Sequence, residues 1–148
     1  MIWVIDASVA IRWFIEEETH PHADEILKGI IDDPERFAVP ELFGFEVFSV
    51  LLRIHSNGLA AFKKGVIPIL QLGVFRQPMT GNLARLANQF VKLGLTGYDA
   101  CYAALSKNLN GTWLTFDKKA HQLIQKEKVS CLLDDGLPNG WPDPINKY

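Results

Sequence analysis

The sequence predicts a three-layer α/β/α sandwich with a mainly parallel central sheet. Short apolar segments rich in β-branched residues alternate with helix-like segments along the chain, which is the pattern of parallel strands joined by helices. The first segment, residues 2–5, is apolar at every position, as expected of a strand that is buried on both faces. The length of 148 residues is that of one domain with a sizeable core.

The expected elements follow from apolar spacing and from residues that begin or end helices. In residues 22–31 the apolar side chains recur at helical spacing, and Pro34 follows that segment. Pro40 precedes a long helix that ends at Asn57 and Gly58, and Gly94 is a good C-cap for a later helix. The predicted strands cover residues 2–5, 36–39, 74–77, 112–116 and 129–133. The predicted helices cover residues 8–15, 22–31, 41–55, 60–72 (kinked or split at Pro68), 82–93, 98–108 and 118–126.

A change in composition marks the end of the predicted domain. We assign residues 1–133 to one folded domain. Residues 134–148 contain three prolines and two glycines, which predicts a C-terminal irregular tail. No internal repeat or linker divides the predicted domain.

The composition, 48% hydrophobic and 22% charged, is typical of a soluble globular protein. The longest apolar region, residues 42–52, contains a glutamate and is too short to span a bilayer, so we expect no membrane association. No basic residues precede the opening apolar run, so no secretory signal is expected. Cys101 and Cys131 lie in apolar segments without CxxC spacing, which favours free thiols and a cytoplasmic location.

Charge is distributed unevenly along the chain, although the net charge is only −2. Residues 16–35 contain eight acids and one base, whereas residues 47–98 contain six bases and no acid. Such an asymmetry fits a polyanionic partner, and it fits ordinary solvated faces equally well.

Asp6 and Asp117 each follow an apolar strand and precede a helix. In open α/β sheets ligands bind beyond the carboxyl ends of the strands, so two such strands could bring both carboxylates to one edge. Aspartate is also a favoured helix N-cap, so each carboxylate can simply accept hydrogen bonds from backbone N–H groups. Asp99 has a similar alternative, since Thr96 and Asp99 match a capping box.

Glu46 is the only charged residue in the segment LFGFEVFSVLL, residues 42–52. That segment is apolar on almost every side, which predicts a buried helix. A lone buried carboxylate is strongly destabilising unless it is paired or binds a cation. Arg53, seven residues later on the same helix face, is a possible partner.

Together the four acids predict a divalent-cation site more strongly than any one of them does. Clustered carboxylates repel one another, and Mg²⁺ relieves that repulsion because it prefers oxygen ligands. Such a cation lowers the pKa of a bound water and neutralises charge on a phosphodiester. The sequence has no cluster of histidines and cysteines that would indicate a zinc site. It also has no GxGxxG, P-loop or GxSxG motif that would indicate other chemistry.

Four segments of the chain resemble the PIN domain, specifically the ribonuclease toxins of VapBC-type toxin–antitoxin pairs. They are VIDASVAIRWF (residues 4–14), VPELFGFEV (39–47), LTGYDACYAAL (95–105) and WLTFD (113–117). Their order and spacing match the family over residues 1–133, and the ordered set is far more specific than any one of the motifs. The resemblance implies a PIN-like nuclease domain with the α/β/α fold. The implied activity is that of an endoribonuclease dependent on Mg²⁺ or Mn²⁺.

The resemblance also implies roles for individual residues. The catalytic acids would be Asp6, Glu46, Asp99 and Asp117. Asp6 and Asp99 would be direct metal ligands, and Asp117 would bind the metal directly or through water. Glu46 would bind the metal or position and deprotonate a water. Ser8 and Thr115 match positions that support the acids by hydrogen bonding.

Two arginines are candidates for contacts with substrate phosphates. Arg12 lies in the first motif, and Arg53 belongs to the acid-free segment that would border an RNA path. Glu41 is a competing acid, but a first-turn acid suits the helix dipole, so we regard Glu41 as structural.

The family resemblance implies an RNA substrate, a homodimer and a cognate antitoxin that covers the active-site groove. Other functions remain open from the sequence. They are a PIN nuclease that processes RNA without an antitoxin, a non-catalytic nucleic-acid-binding or protein-binding module, and a phosphohydrolase of small substrates. All four acids are present, which favours a nuclease over a binding module.

Overall fold

The structure is a computed structural model that describes residues 1–142. Its centre is a sheet of five strands: β1 (Trp3–Ile5), β2 (Phe37–Pro40), β3 (Phe75–Gln77), β4 (Thr112–Thr115) and β5 (Ser130–Leu132). Their order is β3-β2-β1-β4-β5, and every neighbouring pair is parallel. The predicted fold class, a parallel sheet between layers of helices, is confirmed.

Eight α-helices are described: α1 (Ala7–Ile11), α2 (Pro21–Asp32), α3 (Leu42–Ile54), α4 (Gly58–Ala61), α5 (Ile67–Leu70), α6 (Gly81–Val91), α7 (Gly97–Asn108) and α8 (Lys118–Ile124). A π-helical turn, Phe62–Val66, joins α4 to α5. The helix predicted over residues 60–72 is therefore observed as one helical run over residues 58–70 that changes between α and π geometry, with Pro68 in the first turn of α5, directly after the π-helical turn. Within residues 1–142, no helix has the length and apolarity needed to cross a membrane.

The first helix is shorter than predicted. It ends at Ile11 rather than at residue 15, and Arg12 and Trp13 continue as tight turns whose N–H groups bond to carbonyls three residues back. The Trp13 indole N–H donates to the carbonyl of Ala23 in α2 at 2.8 Å, which ties this turn to the next helix.

Small residues let α7 pack closely against the sheet. Ala100, Ala103 and Ala104 are completely buried, as are Trp3 and Val4 of β1. Because a wider side chain at these alanines would push the helix away, this packing fixes the N-terminal end of α7 relative to the strands.

The prediction that α3 is buried on almost every side is wrong. Phe43, Val47 and Leu51 form its buried face, whereas Phe45 is 72% exposed and Leu52 is 48% exposed. The helix packs on α1 and β2 with one side, so its other apolar side faces outward.

The described part of the tail, residues 134–142, contains turns but no helix or strand. Trp141 packs on Trp3 and Phe37, with ring centroids 5.7 and 6.0 Å apart respectively. The domain boundary at residue 133 stays a prediction, and residues 143–148 of the predicted tail lie outside the described residues.

Candidate metal centre

Asp6 lies at the carboxyl end of β1, in the middle of the sheet. Its backbone N–H donates to the Leu114 carbonyl of β4 at 3.1 Å, and only 7% of the residue is exposed. Three donors reach its carboxylate. Trp113 Nε1–H donates to Oδ1 at 3.3 Å, and the Thr115 hydroxyl and the Ser8 N–H donate to Oδ2 at 3.1 and 3.2 Å. These bonds fix the orientation of the carboxylate at the sheet edge.

Thr115 joins the ends of the two central strands. Its hydroxyl donates to Asp6 and accepts the N–H of Asp117 at 3.0 Å. Ser8 also contacts the second strand end, since its Oγ accepts the N–H of Phe116 at 3.1 Å. Because β1 and β4 are parallel neighbours, Asp6 and Asp117 lie at the same edge of the sheet.

Helix capping, the alternative role of the aspartates, is also observed. Asp6 caps α1, and Asp117 Oδ1 accepts the Ala120 N–H of α8 at 3.0 Å. At α7 the Thr96 hydroxyl accepts the Asp99 N–H at 3.2 Å, so Thr96 is the cap. Capping does not exclude cation binding, because a carboxylate has about four lone-pair positions and each cap occupies one.

Glu46 lies half-buried on α3, and its Oε1 accepts the hydroxyl of Tyr102 from α7 at 2.9 Å. The possible pairing with Arg53 is not formed, since no ion pair involves Glu46 within residues 1–142 and Arg53 is exposed. Glu46 is therefore hydrogen-bonded to a neutral phenol, and not paired with the cationic side chain of Arg53.

Burial and mutual repulsion raise the pKa values of three of the carboxyl groups. Burial raises the pKa of Asp6 above its usual range, against the opposing effect of its hydrogen bonds. Burial, together with repulsion from Asp6 and Asp99, raises the pKa of Glu46 to about 7. Burial, together with repulsion from Asp6 and Asp117, raises the pKa of Asp99 to about 6. The four acids therefore interact electrostatically, and the site favours protonation or a bound cation.

Within residues 1–142, the hydrogen-bond donors to the carboxylates at this edge are neutral. Backbone N–H groups, hydroxyls and an indole N–H bind Asp6, Glu46 and Asp117. Within the described residues an ion pair joins Asp33 to Arg36, and none involves the four acids. No ion pair among residues 1–142 therefore neutralises these acids, and their oxygen atoms are of the type that Mg²⁺ and Mn²⁺ prefer.

The side chains do not form a ready cage for an ion. Among residues 1–142, no three histidine, cysteine, aspartate or glutamate side chains converge closely enough to hold a metal. Mg²⁺ usually keeps several waters and binds through one or two carboxylates. The residues therefore fit a hydrated cation better than one ligated entirely by protein.

The two predicted substrate-binding arginines lie in different settings. Arg12 Nη1 donates to the Ser8 carbonyl at 3.0 Å, and its guanidinium lies 4.0 Å from the centroid of the Phe116 ring. Since Phe116 directly precedes Asp117, these contacts hold a positive charge beside the acids without an ion pair. Arg53 is exposed near the C-terminal end of α3.

Sequence reasoning did not identify Tyr102 and Trp113 as part of the site. Both are completely buried, and each donates a hydrogen bond to one of the acids. The spacing of Asp99 and Tyr102, three residues apart in a helix, places both on one side of α7 and was the available signal.

Several solved structures are similar to this chain. FitAcB from Neisseria gonorrhoeae superposes with a TM-score of 0.64 at 12% identity, over 84% of this chain and 94% of that one. PAE2754 from Pyrobaculum aerophilum gives 0.62 at 20% identity, over 88% of each chain. VapC20 of Mycobacterium tuberculosis, described as a toxin that cleaves the sarcin–ricin loop, gives 0.61 at 13% identity, over 81% of this chain and 93% of that one. At these identities the likeness establishes a shared fold.

A comparison with curated protein sequences finds no significant match. The family model described as the PIN domain matches residues 3–125, which is most of the chain and includes all four acids. This protein therefore belongs to the PIN domain family, whose members are generally nucleases.

Proposed function

We propose that this protein is an endoribonuclease dependent on Mg²⁺ or Mn²⁺, and that it is the toxin of a toxin–antitoxin pair. The observation that supports this proposal best is the electrostatic repulsion among four carboxylates from four separate parts of the fold, none of which forms an ion pair within the described residues. A divalent cation would relieve their repulsion. Membership of a family whose members are generally nucleases supports the same activity.

In this proposal Asp6 and Asp99 would bind the cation directly, and Asp117 would bind it directly or through a water. When bound, the cation would lower the pKa of a water and neutralise charge on the scissile phosphodiester. Glu46 orients the attacking water and accepts its proton, a role that suits a carboxyl group whose pKa is about 7. Thr115 and Ser8 fix the orientation of Asp6 through their hydrogen bonds.

RNA is the substrate that we propose, with its phosphates held by basic side chains. Arg12 is held over Phe116 beside the acids, and Arg53 is exposed on the helix that carries Glu46. Phosphate contacts of this kind position a nucleic acid without reading its sequence. The similar fold of VapC20, which is described as cleaving the sarcin–ricin loop, supports RNA as the substrate class.

Exposed apolar surface near the acids supports protein partners. Phe45 and Met79, which are 72% and 63% exposed, line a cleft of about 450 Å³ that reaches Cys101, two residues from Asp99. Contiguous exposed apolar surface commonly marks an interaction site. We propose that a cognate antitoxin binds beside the acids, that the protein forms a homodimer, and that it acts in the cytoplasm, where its RNA substrate would be found.

Cleavage of a mixed RNA pool tests the activity. Purified protein should produce discrete cuts with Mg²⁺ or Mn²⁺ and none with EDTA, and Asp6→Asn should remove them. Asp24→Asn, at an exposed position of α2, is the matched control and should cut like the wild type. If neither metal supports cleavage of any RNA, or if Asp6→Asn cuts normally, the nuclease proposal is wrong.

Growth after expression in a bacterial host tests the toxin assignment separately. The wild-type protein should arrest growth, and Asp6→Asn should not. An active nuclease that leaves growth unaffected would instead favour RNA processing without an antitoxin.

A further inference from the structure

Two buried aromatic residues connect the acids across the core. Trp113 of β4 and Tyr102 of α7 stack with their ring centroids 5.8 Å apart and their planes 14° from parallel. Trp113 Nε1–H donates to Asp6 Oδ1 at 3.3 Å, and the Tyr102 hydroxyl donates to Glu46 Oε1 at 2.9 Å. One stacked pair therefore makes a hydrogen bond to each of two different acids.

We propose that the stacked Trp113–Tyr102 pair positions the carboxylates of Asp6 and Glu46 relative to each other, so that one side chain can hold a cation while the other orients water. The inference rests on the proposed nuclease function. Neither ring touches a reacting atom in this proposal, so Trp113 and Tyr102 are positioning residues.

The rigidity of the pair suits this role. Both residues are completely buried, and their stacked rings restrict each other's rotation. Asp6 and Glu46 belong to different layers of the fold, since Asp6 follows the central strand β1 and Glu46 lies on α3. Because the two donors, Trp113 and Tyr102, are in direct contact, they hold the two carboxylates at a fixed position relative to each other.

The chemistry of the donors also suits a cation site. Arginine or lysine in these positions would form ion pairs with the acids and compete with a cation for the same oxygens. Indole and phenol donate hydrogen bonds without a positive charge. The carboxylates are therefore oriented while their charge stays available to a metal.

A buried tryptophan in this sheet does not require such a bond. Trp3, in the neighbouring strand β1, is also completely buried, yet its Nε1 has no hydrogen-bond partner within residues 1–142. The bond from Trp113 to Asp6 is therefore a specific feature of the site, and Trp3→Phe supplies a control of matched burial.

Four single variants, each removing one polar group and keeping an aromatic ring, test the proposal. Trp113→Phe should weaken Mn²⁺ binding about tenfold or more, as is common when a partner of a metal ligand is removed. Tyr102→Phe, which removes the donor to the water-orienting Glu46, should lower kcat for RNA cleavage about tenfold or more and leave KM unchanged, whereas Tyr98→Phe should change kcat less than twofold. Tyr98→Phe, at an exposed tyrosine of the same helix, and Trp3→Phe should change Mn²⁺ affinity less than twofold.

A double-mutant cycle separates positioning from a general structural effect. If Tyr102 acts through Glu46, adding Tyr102→Phe to Glu46→Gln should change the remaining kcat less than twofold. An equal loss in both backgrounds, or variants that bind and cleave like their controls, would overturn the inference and leave the nuclease function intact. Wild-type protein that neither binds Mn²⁺ nor cleaves RNA would overturn both. Trp113→Phe tests the Asp6 half of the proposal independently if Tyr102→Phe does not fold.

Discussion

Raising the pH from about 5 to about 8 in EDTA should destabilise this protein. The folded-state pKa of Glu46 is about 7 against a usual 4.5, and that of Asp99 is about 6 against a usual 3.8. At a pH between the usual pKa and the folded-state pKa of each group, the folded protein binds more protons than the unfolded chain does. The free energy of unfolding must therefore fall as the pH rises through this window, and the loss should be complete above about pH 8.

The size of the loss follows from the pKa shifts. One pKa unit corresponds to about 1.36 kcal/mol, so the rise from 4.5 to about 7 at Glu46 alone amounts to about 3 kcal/mol without screening. Glu46 and Asp99 are both partly exposed, and solvent screening reduces this cost, so we expect a net loss of about 2 kcal/mol. For a protein of this size such a loss lowers Tm by about 4–8 °C.

Urea unfolding at a series of pH values, with EDTA, measures this loss. Glu46→Gln removes one of the groups with raised pKa and should flatten the pH dependence, and it should be more stable than the wild type at about pH 8. Glu41→Gln, an exposed glutamate beside the start of the same helix, should keep the wild-type dependence. Excess Mg²⁺ should restore stability more strongly as the pH rises, because it binds the deprotonated acids. A stability that rises with pH in EDTA, or an equal slope in Glu46→Gln, would show that burial does not raise the pKa of Glu46 as described.

Three further predictions concern a hydrogen bond, a close contact and substrate binding. Thr115→Val removes the hydroxyl that bridges two strand ends and should lower the free energy of unfolding by about 1–3 kcal/mol in urea. Gly58→Ala would place its Cβ against the backbone at the end of α3 and should cost about 1–3 kcal/mol, whereas Gly81→Ala, which has open space, should cost less than about 0.5 kcal/mol. Arg53→Ala should weaken RNA binding and reduce the slope of log K against log salt by about one, with kcat unchanged and with Lys28→Ala as control. An unchanged salt slope would remove Arg53 from the RNA path.

The central strands were predictable because they are short, largely apolar segments, whereas the edge strand β3 (FRQ) is mostly exposed and was predicted from its place between turn-forming residues. The segment predicted at 74–77 is the strand Phe75–Gln77, and the segment at 112–116 is Thr112–Thr115. Strands that alternate with helices pair in parallel, because each helical connection returns the chain to the end of the sheet where the previous strand began. The common edge of Asp6 and Asp117 follows in turn, because it depends only on two parallel strands being neighbours.

The outer face of α3 was not predictable in the same way. Its apolar character predicted complete burial, yet Phe45 and Leu52 are exposed within the single chain. The spacing of apolar residues indicates which side of a helix is shielded from water. It does not indicate whether the protein core or another molecule covers that side.

The donors to the acids were the least predictable part of the site. Tyr102 and Glu46 are 56 residues apart in sequence, and Trp113 and Asp6 are 107 residues apart. Such contacts depend on sheet order and on how α7 packs against the strands, and neither is encoded in a local pattern. Arg53 was a reasonable candidate partner for Glu46 because helical spacing is visible in sequence and tertiary contact is not.

We propose that Asp6, Glu46, Asp99 and Asp117 together form one divalent-cation site. The most direct test is a crystal structure of the protein with Mn²⁺, with the ion located by its anomalous scattering. We expect an ion at the carboxyl edge of β1 and β4, bound by Asp6 and Asp99 and retaining waters. Mn²⁺ bound elsewhere in a fully folded protein, with this edge empty at saturating metal, would contradict it.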